Sequence, residues 1–251
     1  VVEVVVEPKV AITNIIWSYD RQTHKINLLL IRRAEQPFQN YWALPETSLR
    51  IHESADQAAL RLVHEKIGLK LSRFHTEQLE TFTNPLRSPG HQREIALAYM
   101  TFLPDMPNLN AGYGAIDAQW FELGYDQLEH YTFTKGNLFF TLDQNQTESS
   151  FYQHFEQQRY LAFDHEWLIN VACMRIRNKL DYQPNILLVL GQSFTLKEAR
   201  KVYAAFLKIS VQQIDNSNFR KTHGWLFQEA GLTAARKPGR PARLYRLKLK
   251  V

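Results

Sequence analysis

Apolar residues recur along this chain with two different periods. Residues 27–31 (Asn27, Leu28, Leu29, Leu30, Ile31) form a short apolar run that ends in Arg32 and Arg33, which suits a buried strand opening into a polar loop. Across 53–67, Ala55, Ala58, Ala59, Leu62, Val63 and Ile67 fall at three- and four-residue spacings. That spacing predicts a helix, with Gly68 as its stop. Strands are expected at 76–83, 94–102 and 118–122, and Asn84-Pro85 and Ser88-Pro89-Gly90 punctuate a loop between them. The opening 1–6 is apolar, broken by Glu3 and followed by Glu7-Pro8, and reads as a first strand. It has neither a basic flank nor a small-residue cleavage site, so an export signal is not expected. The stretch 143–150 is polar and aperiodic, the pattern of a mobile insert. A further helix is expected over 164–180, with Leu168, Ala172 and Ile176 on one face, and Pro184 marks a domain boundary after it.

The last sixty residues change character. Phe194-Thr195-Leu196-Lys197-Glu198 has the form of a capping box, with Thr195 as cap and Glu198 reaching back to it. Leu196, Ala199, Val202, Tyr203 and Phe206 then make an apolar stripe. Asp215 is placed to cap a second helix, expected to run through Ala230 and to end at Gly231. At about 100° per residue from Phe219, Leu226 and Ala230 return to within roughly 20° of it. Ser217, Arg220, Lys221 and Gly224 fall on the opposite side. Such a small, polar and cationic face suits a recognition helix in a major groove. Residues 232–236 and 242–247 are expected to pair as a hairpin around Lys237-Pro238-Gly239-Arg240-Pro241, with one bulge because Leu244 and Leu247 do not alternate. Its basic tip is placed to touch phosphates or enter a minor groove.

Charge sharpens the division. Of 30 basic and 25 acidic residues, 13 and 3 lie in 184–251, a net of about +10, so the rest of the chain nets about −5. Basic residues gathered in one module are the footprint of phosphate-backbone binding. No apolar run approaches the roughly 20 residues of a membrane span, and no membrane partner is expected. The single Cys173, among Val171, Ala172, Met174 and Ile176, excludes an internal disulfide framework and reads as a core thiol in a cytoplasmic protein. No Cys/His cluster has zinc-site spacing, and the residues imply no metal or other cofactor.

The helix at 53–69 resembles the signature box of the Nudix hydrolases. Glu53, Arg61, Val63, Glu65, Gly68 and Leu69 match it in register, and Trp42-Ala43-Leu44-Pro45 resembles the family's entry into the box. By that resemblance Glu53 and Arg61 pin loop to helix. The family's metal-binding carboxylates correspond to Leu62, Glu65 and Lys66, so one survives, one is apolar and one is reversed to a cation. Thr47 replaces the box glycine, with Glu46 beside it. Pyrophosphate hydrolysis needs several carboxylates converging on hard divalent cations, so catalytic residues and enzyme activity are not expected here.

Joined to the basic C-terminal module, the whole resembles the Nudix-related transcriptional regulators, the NrtR-like family. The likeness includes Glu77-Gln78-Leu79, Thr81-Phe82, Arg87 with Pro89, Trp120-Phe121, Leu161-Ala162-Phe163-Asp164-His165, Asn218-Phe219-Arg220-Lys221 and Gly239-Arg240-Pro241-Ala242. It implies an α+β fold: an α/β/α Nudix-like mixed sheet in 1–183 that senses an effector, followed by a winged helix-turn-helix domain in 184–251. Residues 123–160 exceed the family's usual connection and count as an insert, with 164–180 as the interdomain helix. The implied function is a homodimeric repressor of NAD-metabolism genes on an inverted-repeat DNA operator, released by an NAD-derived nucleotide such as ADP-ribose. Other branches of the family answer to sugars such as arabinose. Candidate DNA-binding residues are Ser217, Asn218, Arg220, Lys221, Arg236, Lys237 and Arg240. Candidate effector-binding residues are Arg32, Arg33, Glu65, Phe82 and Arg87, the arginines because a guanidinium offers forked donors to phosphate oxygens. An active nucleotide-diphosphate hydrolase with a localising tail, and a nonspecific nucleic-acid adaptor, are the alternatives.

Overall fold

The longest strand, β1 (Lys9–Asp20), is buried over nearly its whole length because both of its faces are covered. The computed structural model that shows this describes residues 7–69, 75–87, 92–154, 160–233 and 241–248. After β1 come β2 (Lys25–Arg33), the short β3 (Trp42–Ala43) and β4 (Glu46–Ser48), helix α1 (Ala55–Ile67), β5 (His75–Phe82) and β6 (Glu94–Leu103). Then follow β7 (Ala115–Tyr125), β8 (Tyr131–Lys135), β9 (Leu138–Leu142), α2 (Glu148–Gln153) and α3 (His165–Lys179). The strands make one mixed sheet in the order β5-β6-β1-β2-β7-β8-β9, with β3 added to β2 and β4 to β1. β1 and β6 are parallel, and the remaining pairs are antiparallel.

Alternation along β1 sends its residues to two cores. Ile12 and Ile16 face α1, where Ala58, Ala59 and Val63 are buried. Ile15, Trp17 and Tyr19 face the other way, against Leu168, Ala172 and Ile176 of α3. The sheet is thus covered by helices on both sides, the expected α/β/α arrangement. Helix α1 starts at the Ser54 cap, which exchanges bonds with Gln57, and stops at Gly68 with φ +68°. Cys173 is wholly buried in the α3 face, and burial pushes its thiol pKa up. It is a core thiol.

The C-terminal module consists of α4 (Leu196–Leu207), α5 (Asn216–His223), β10 (Phe227–Leu232) and β11 (Arg243–Leu247). The Thr195/Glu198 capping box opens α4 as its sequence requires. Phe194 pairs with Tyr245 through two backbone bonds of 2.8 Å, adding a third rung to the wing. The second helix is shorter than its apolar pattern predicts. It ends at His223, a 3₁₀ turn covers Gly224–Leu226, and Phe227 enters the wing as a strand residue opposite Leu247. Gly224 is a poor helix former, and the Phe227 ring gains Phe194 at 5.6 Å by leaving the helix. Leu226 is buried as expected, but Ala230 is exposed on the strand. The wing therefore begins at Phe227 rather than at 232, and Gly231, at φ +111°, sits at the register shift instead of ending a helix.

Two expectations about the first domain also change. Residues 1–6 lie outside the described residues, and the first described strand is β1, which carries no alternating signal because both faces are buried. The stretch 123–160 is not a featureless insert. It supplies the end of β7, the β8–β9 hairpin and α2, and it docks the winged helix. Tyr131 donates to the carbonyl of Phe206. Lys208, which ends α4, donates to the carbonyl of Glu129 at 2.6 Å and to Gln144 Oε1 at 3.2 Å. Trp17 meets Phe206 edge-on at 5.6 Å. Arg21 adds Glu198 at 2.9 Å and the Leu190 carbonyl at 2.5 Å. The two modules share one apolar core.

A shared core predicts shared unfolding. Phe206→Ala should cost about 3–5 kcal/mol, the usual penalty for truncating a buried Phe. Urea denaturation followed by tryptophan fluorescence and by far-UV circular dichroism should move as one transition in the native chain. Two separated transitions would show that the modules are energetically independent.

Candidate ligand pocket and nucleic-acid interface

The first candidate site lies where β1, β4, the end of α1 and two loops meet. It is a cavity of about 490 Å³, walled by Lys9, Arg33, Glu35, Glu46, Arg50, Glu65, Lys66, Glu94, Tyr113, Gly114 and Phe163 among others. Its chemistry is almost entirely charged. The Nudix-box helix supplies one wall. Arg61 Nε and Nη2 clasp Glu53 at 2.8 and 2.5 Å, and its Nη2 also reaches the Ser48 carbonyl at 3.0 Å, so the pin between loop and helix is intact. Glu65 lines the cavity, but Arg50 takes Oε1 at 3.1 Å and Arg61 takes Oε2 at 2.9 Å. Leu62 is fully buried. Lys66 donates to the Tyr113 carbonyl at 2.7 Å, and burial together with the Arg33 charge pushes its pKa down.

Of the five expected effector residues, the structure brings Arg33 and Glu65 to this cavity. Arg32 is a neighbour on the same strand and must point to the opposite side. It is exposed and donates to the Asn40 carbonyl at 3.1 Å. Phe82 is buried in the α3-side core, across the sheet from the box helix. Arg87 is 1 % exposed and wholly committed to carboxylates. It holds Asp164 through two bonds of 3.2 Å and Glu94 at 3.0 Å, while Tyr152 donates to Asp164 at 2.7 Å. A buried guanidinium needs such partners to offset its lost hydration, so Arg87 touches the cavity wall through Glu94 and acts on Glu46 by charge alone.

Glu46 and His165 are functional candidates the sequence reading passed over. Glu46 comes from the three-residue β4, too short to carry a period. Its carboxylate lines the cavity and accepts from Thr13 at 2.9 Å. Burial alone would raise its pKa, but His165 and Arg87 outweigh burial and hold it well below the usual carboxylate range. His165 is completely buried at the start of α3. Its Nδ1 accepts the Leu44 N–H at 3.0 Å, which leaves the proton on Nε2. That nitrogen faces Glu46 Oε2 at 3.6 Å, too long for a hydrogen bond, and has no other partner among the described residues.

The second candidate site is the exposed face of α5. Phe219 is buried against Tyr203 at 4.9 Å and His223 at 4.6 Å. Ser217, Arg220 and Lys221 are exposed, as the angular count requires, and so is Asn218. Asp215 caps the helix by accepting the Asn218 N–H at 2.7 Å. Arg236, Lys237 and Arg240, expected at the wing tip, lie outside the described residues. Between the two sites runs α3, 15 residues and so about 22 Å long. Beyond its far end the Leu180 carbonyl accepts from Tyr203 at 2.5 Å, and Asp181 pairs with His223 of α5 at 2.9 Å.

A charged cavity on a Nudix-type sheet, tied through one helix to a winged helix, defines the class of protein. Family models agree, matching a NUDIX domain at residues 8–138 and an NrtR DNA-binding winged helix domain at 186–247. A MutT/nudix family protein from Enterococcus faecalis has a similar solved structure, 31 % identical, covering 98 % of this chain and 89 % of that one with a TM-score of 0.83. Shewanella oneidensis NrtR complexed with a 27mer DNA is similar at 25 % identity, covering 95 % and 93 % of the two chains, with a TM-score of 0.66. The ADPR responsive transcriptional repressor NtrR of Acinetobacter baylyi is 24 % identical over 96 % of this chain and 83 % of its own. The chain belongs to the Nudix family, among its NrtR-like regulators.

The Arg61 clasp fixes an acid-side behaviour. It holds the Glu53 carboxyl down to about 2, against 4.5 in an unfolded chain. A depressed carboxyl stabilises fully above the unfolded value and loses that contribution as pH falls through the folded one. Relative to Glu53→Gln, the native chain should therefore hold a higher urea midpoint at pH 6. That advantage should shrink between pH 4.5 and 2. An advantage that does not change with pH would show that the clasp is not ionic.

Proposed function

We propose that this protein is a transcriptional repressor whose Nudix-like cavity takes ADP-ribose and whose α5 face reads an inverted-repeat operator as a dimer. One observation carries the reading: α3 begins beneath the cavity, at Asp164 and His165, and leads to contacts with the helices of the winged module. A ligand that engages Glu46 or Glu94 therefore acts on the same rigid element that positions α5. The names of the Acinetobacter and Shewanella relatives, an ADPR responsive repressor and a regulator crystallised with DNA, support both halves. The cavity's size is that of an ordinary small-molecule site. Within the described residues no helix is long and apolar enough to cross a membrane; the reading as an operator-bound regulator implies a cytoplasmic protein.

The same residues argue against hydrolysis. Of the three box positions that would gather a divalent cation, Leu62 offers no oxygen, Lys66 offers a positive charge, and Glu65 is already held by two guanidinium groups. The donor set does not fit a metal, and no step of chemistry is assigned to one.

Selection from a random duplex library should enrich an inverted repeat with half-sites one or two helical turns apart. In fluorescence anisotropy on that repeat, Arg220→Ala and Lys221→Ala should each weaken binding about tenfold or more and relax sequence preference. Saturating ADP-ribose should release the native protein from the same DNA without being consumed. Failure to enrich any sequence, or a double variant that binds as tightly as the native chain, would refute the operator reading. Sustained turnover of ADP-ribose would refute the non-enzymatic one.

A further inference from the structure

Four cations stand in the cavity wall, and they are not equivalent. Lys9 is paired with Glu94 at 3.2 Å and Arg50 with Glu65 at 3.1 Å. Arg33 and Lys66 form no such pair within 4 Å among the described residues. Arg33 Nε donates to the Pro37 carbonyl at 2.9 Å, and its guanidinium lies over Phe163 at 4.8 Å. Lys66 spends one of its three donors on the Tyr113 carbonyl and stands 5.4 Å from that ring. Most of the N–H groups of both side chains are thus available to a ligand. Both groups are half-buried: burial pushes both pKa values down, the Arg33 charge pushes that of Lys66 down further, and Glu46 and Glu35 oppose the shift in both. Two cations in the wall of one partly dry cavity, without paired carboxylates, favour an anion between them.

The surrounding loop is shaped to keep Lys66 where it is. The Gly112 N–H donates to the Lys66 carbonyl at 2.9 Å. A Cβ at Gly112 would sit 2.1 Å from the Glu65 carbonyl oxygen, so only glycine lets this loop close on the end of α1. At Gly114, with φ +79°, a Cβ would lie 2.8 Å from the Lys66 ammonium itself. Gly112 thus lets the loop pack on the α1 backbone, and Gly114 leaves room for the ammonium. That is a built position for an ammonium, at a place where the Nudix box otherwise carries a carboxylate.

We infer that the cavity holds the diphosphate of its ligand directly between the Lys66 ammonium and the Arg33 guanidinium, with no divalent metal ion between protein and ligand. The inference rests on the ligand reading given under Proposed function and adds how the anion is held. Replacing a carboxylate by an ammonium moves the local charge by two units, from metal-gathering to anion-gathering. A guanidinium offers a planar fork to two phosphate oxygens and an ammonium a point charge to a third. Among the described residues no cluster of carboxylates stands ready to gather a metal ion and generate a hydroxide, so the site retains its ligand instead of cleaving it.

Isothermal titration tests this with two probes, ADP-ribose and inorganic pyrophosphate, each in EDTA and in excess Mg²⁺. ADP-ribose should bind with the same affinity, within about twofold, in both buffers. Lys66→Met and Arg33→Met should each weaken it at least tenfold in EDTA, with thermal midpoints close to that of the native chain. Lys66→Glu should bind poorly in both buffers, because Leu62 and the engaged Glu65 leave a single new carboxylate without partners for Mg²⁺. Binding of ADP-ribose by the native chain only in Mg²⁺ would overturn the metal-free clamp and leave the ADP-ribose reading standing. Pyrophosphate binding in EDTA without ADP-ribose binding would keep the clamp and remove that nucleotide as effector. Binding of neither probe in EDTA would overturn the clamp outright.

Discussion

The buried contact of Arg87 with Asp164 and Glu94 is the constraint on which this molecule turns. A guanidinium that is 1 % exposed has lost its hydration, and only its two carboxylate partners and their geometry offset that loss. The contact joins three otherwise separate pieces: the loop after β5, the strand β6 and the first turn of α3. Asp164 is the cap residue of α3 yet makes no side-chain capping bond. Its oxygens go to Arg87 and Tyr152 instead, while its charge still sits at the positive end of the helix dipole. The start of α3 is fixed to the sheet by these charges as well as by backbone, where the Ala162 N–H donates to the Trp42 carbonyl at 2.8 Å. Glu94 is at once a partner of Arg87 and part of the cavity wall, so the anchor and the ligand site share an atom group.

From that anchor the rest of the architecture follows. Helix α3 runs across the sheet with Leu168, Ala172 and Ile176 buried, and the chain beyond it enters the winged module. The module does not hang from a linker. Phe206 sits against Trp17 of the central strand, and Lys208 is half-enclosed by carbonyl and amide oxygens from the β8 side. Burying an ammonium among neutral acceptors costs more than pairing it with a carboxylate, and its pKa is lowered accordingly. That cost is sustainable only where the contact is part of a continuous core. Helix α5, held this way, has a defined orientation relative to the cavity, which a flexible tether could not provide.

What could be read from the chain beforehand divides along physical lines. Amphipathic helices were legible: Ser54 to Gly68, the Thr195/Glu198 box and the buried Phe219 opposite exposed Arg220 and Lys221 all carry the 3.6-residue period at a partly exposed surface. The central strand was not, because Ile12 to Tyr19 is buried on both faces and so shows no alternation. The boundary at Phe227 was hidden because a helix stripe and a strand pair can share the same apolar residues until tertiary contacts choose between them. Among site residues, adjacency in sequence misled twice. Arg32 and Arg33 look equivalent but point to opposite sides of one strand, and Arg87 looks like a free phosphate ligand until its two carboxylates are placed beside it. Glu46 and His165, 119 positions apart, could be brought together only by the fold.

The magnitude needed for a switch is small compared with what this geometry stores. A tenfold change in operator affinity corresponds to about 1.4 kcal/mol of coupling, which must come from contacts that differ between two conformations. A hydrogen bond to a charged group is worth about 1.5–3 kcal/mol. Behind the cavity wall a contact of this kind stands open, with His165 Nε2 at 3.6 Å from Glu46 Oε2. A ligand that draws Glu46 toward the cavity lengthens this contact, and one that pushes it inward closes it. Either movement acts on the first residue of α3, whose other end leads to His223 on the recognition helix through Asp181. The box helix, by contrast, is locked by Arg61 to Glu53 and to the Ser48 carbonyl and has no comparable freedom. Under the proposed function, holding the ligand and reporting it fall to different walls of the same cavity: Lys66 and Arg33 on one side, Glu46 and Glu94 on the side joined to α3.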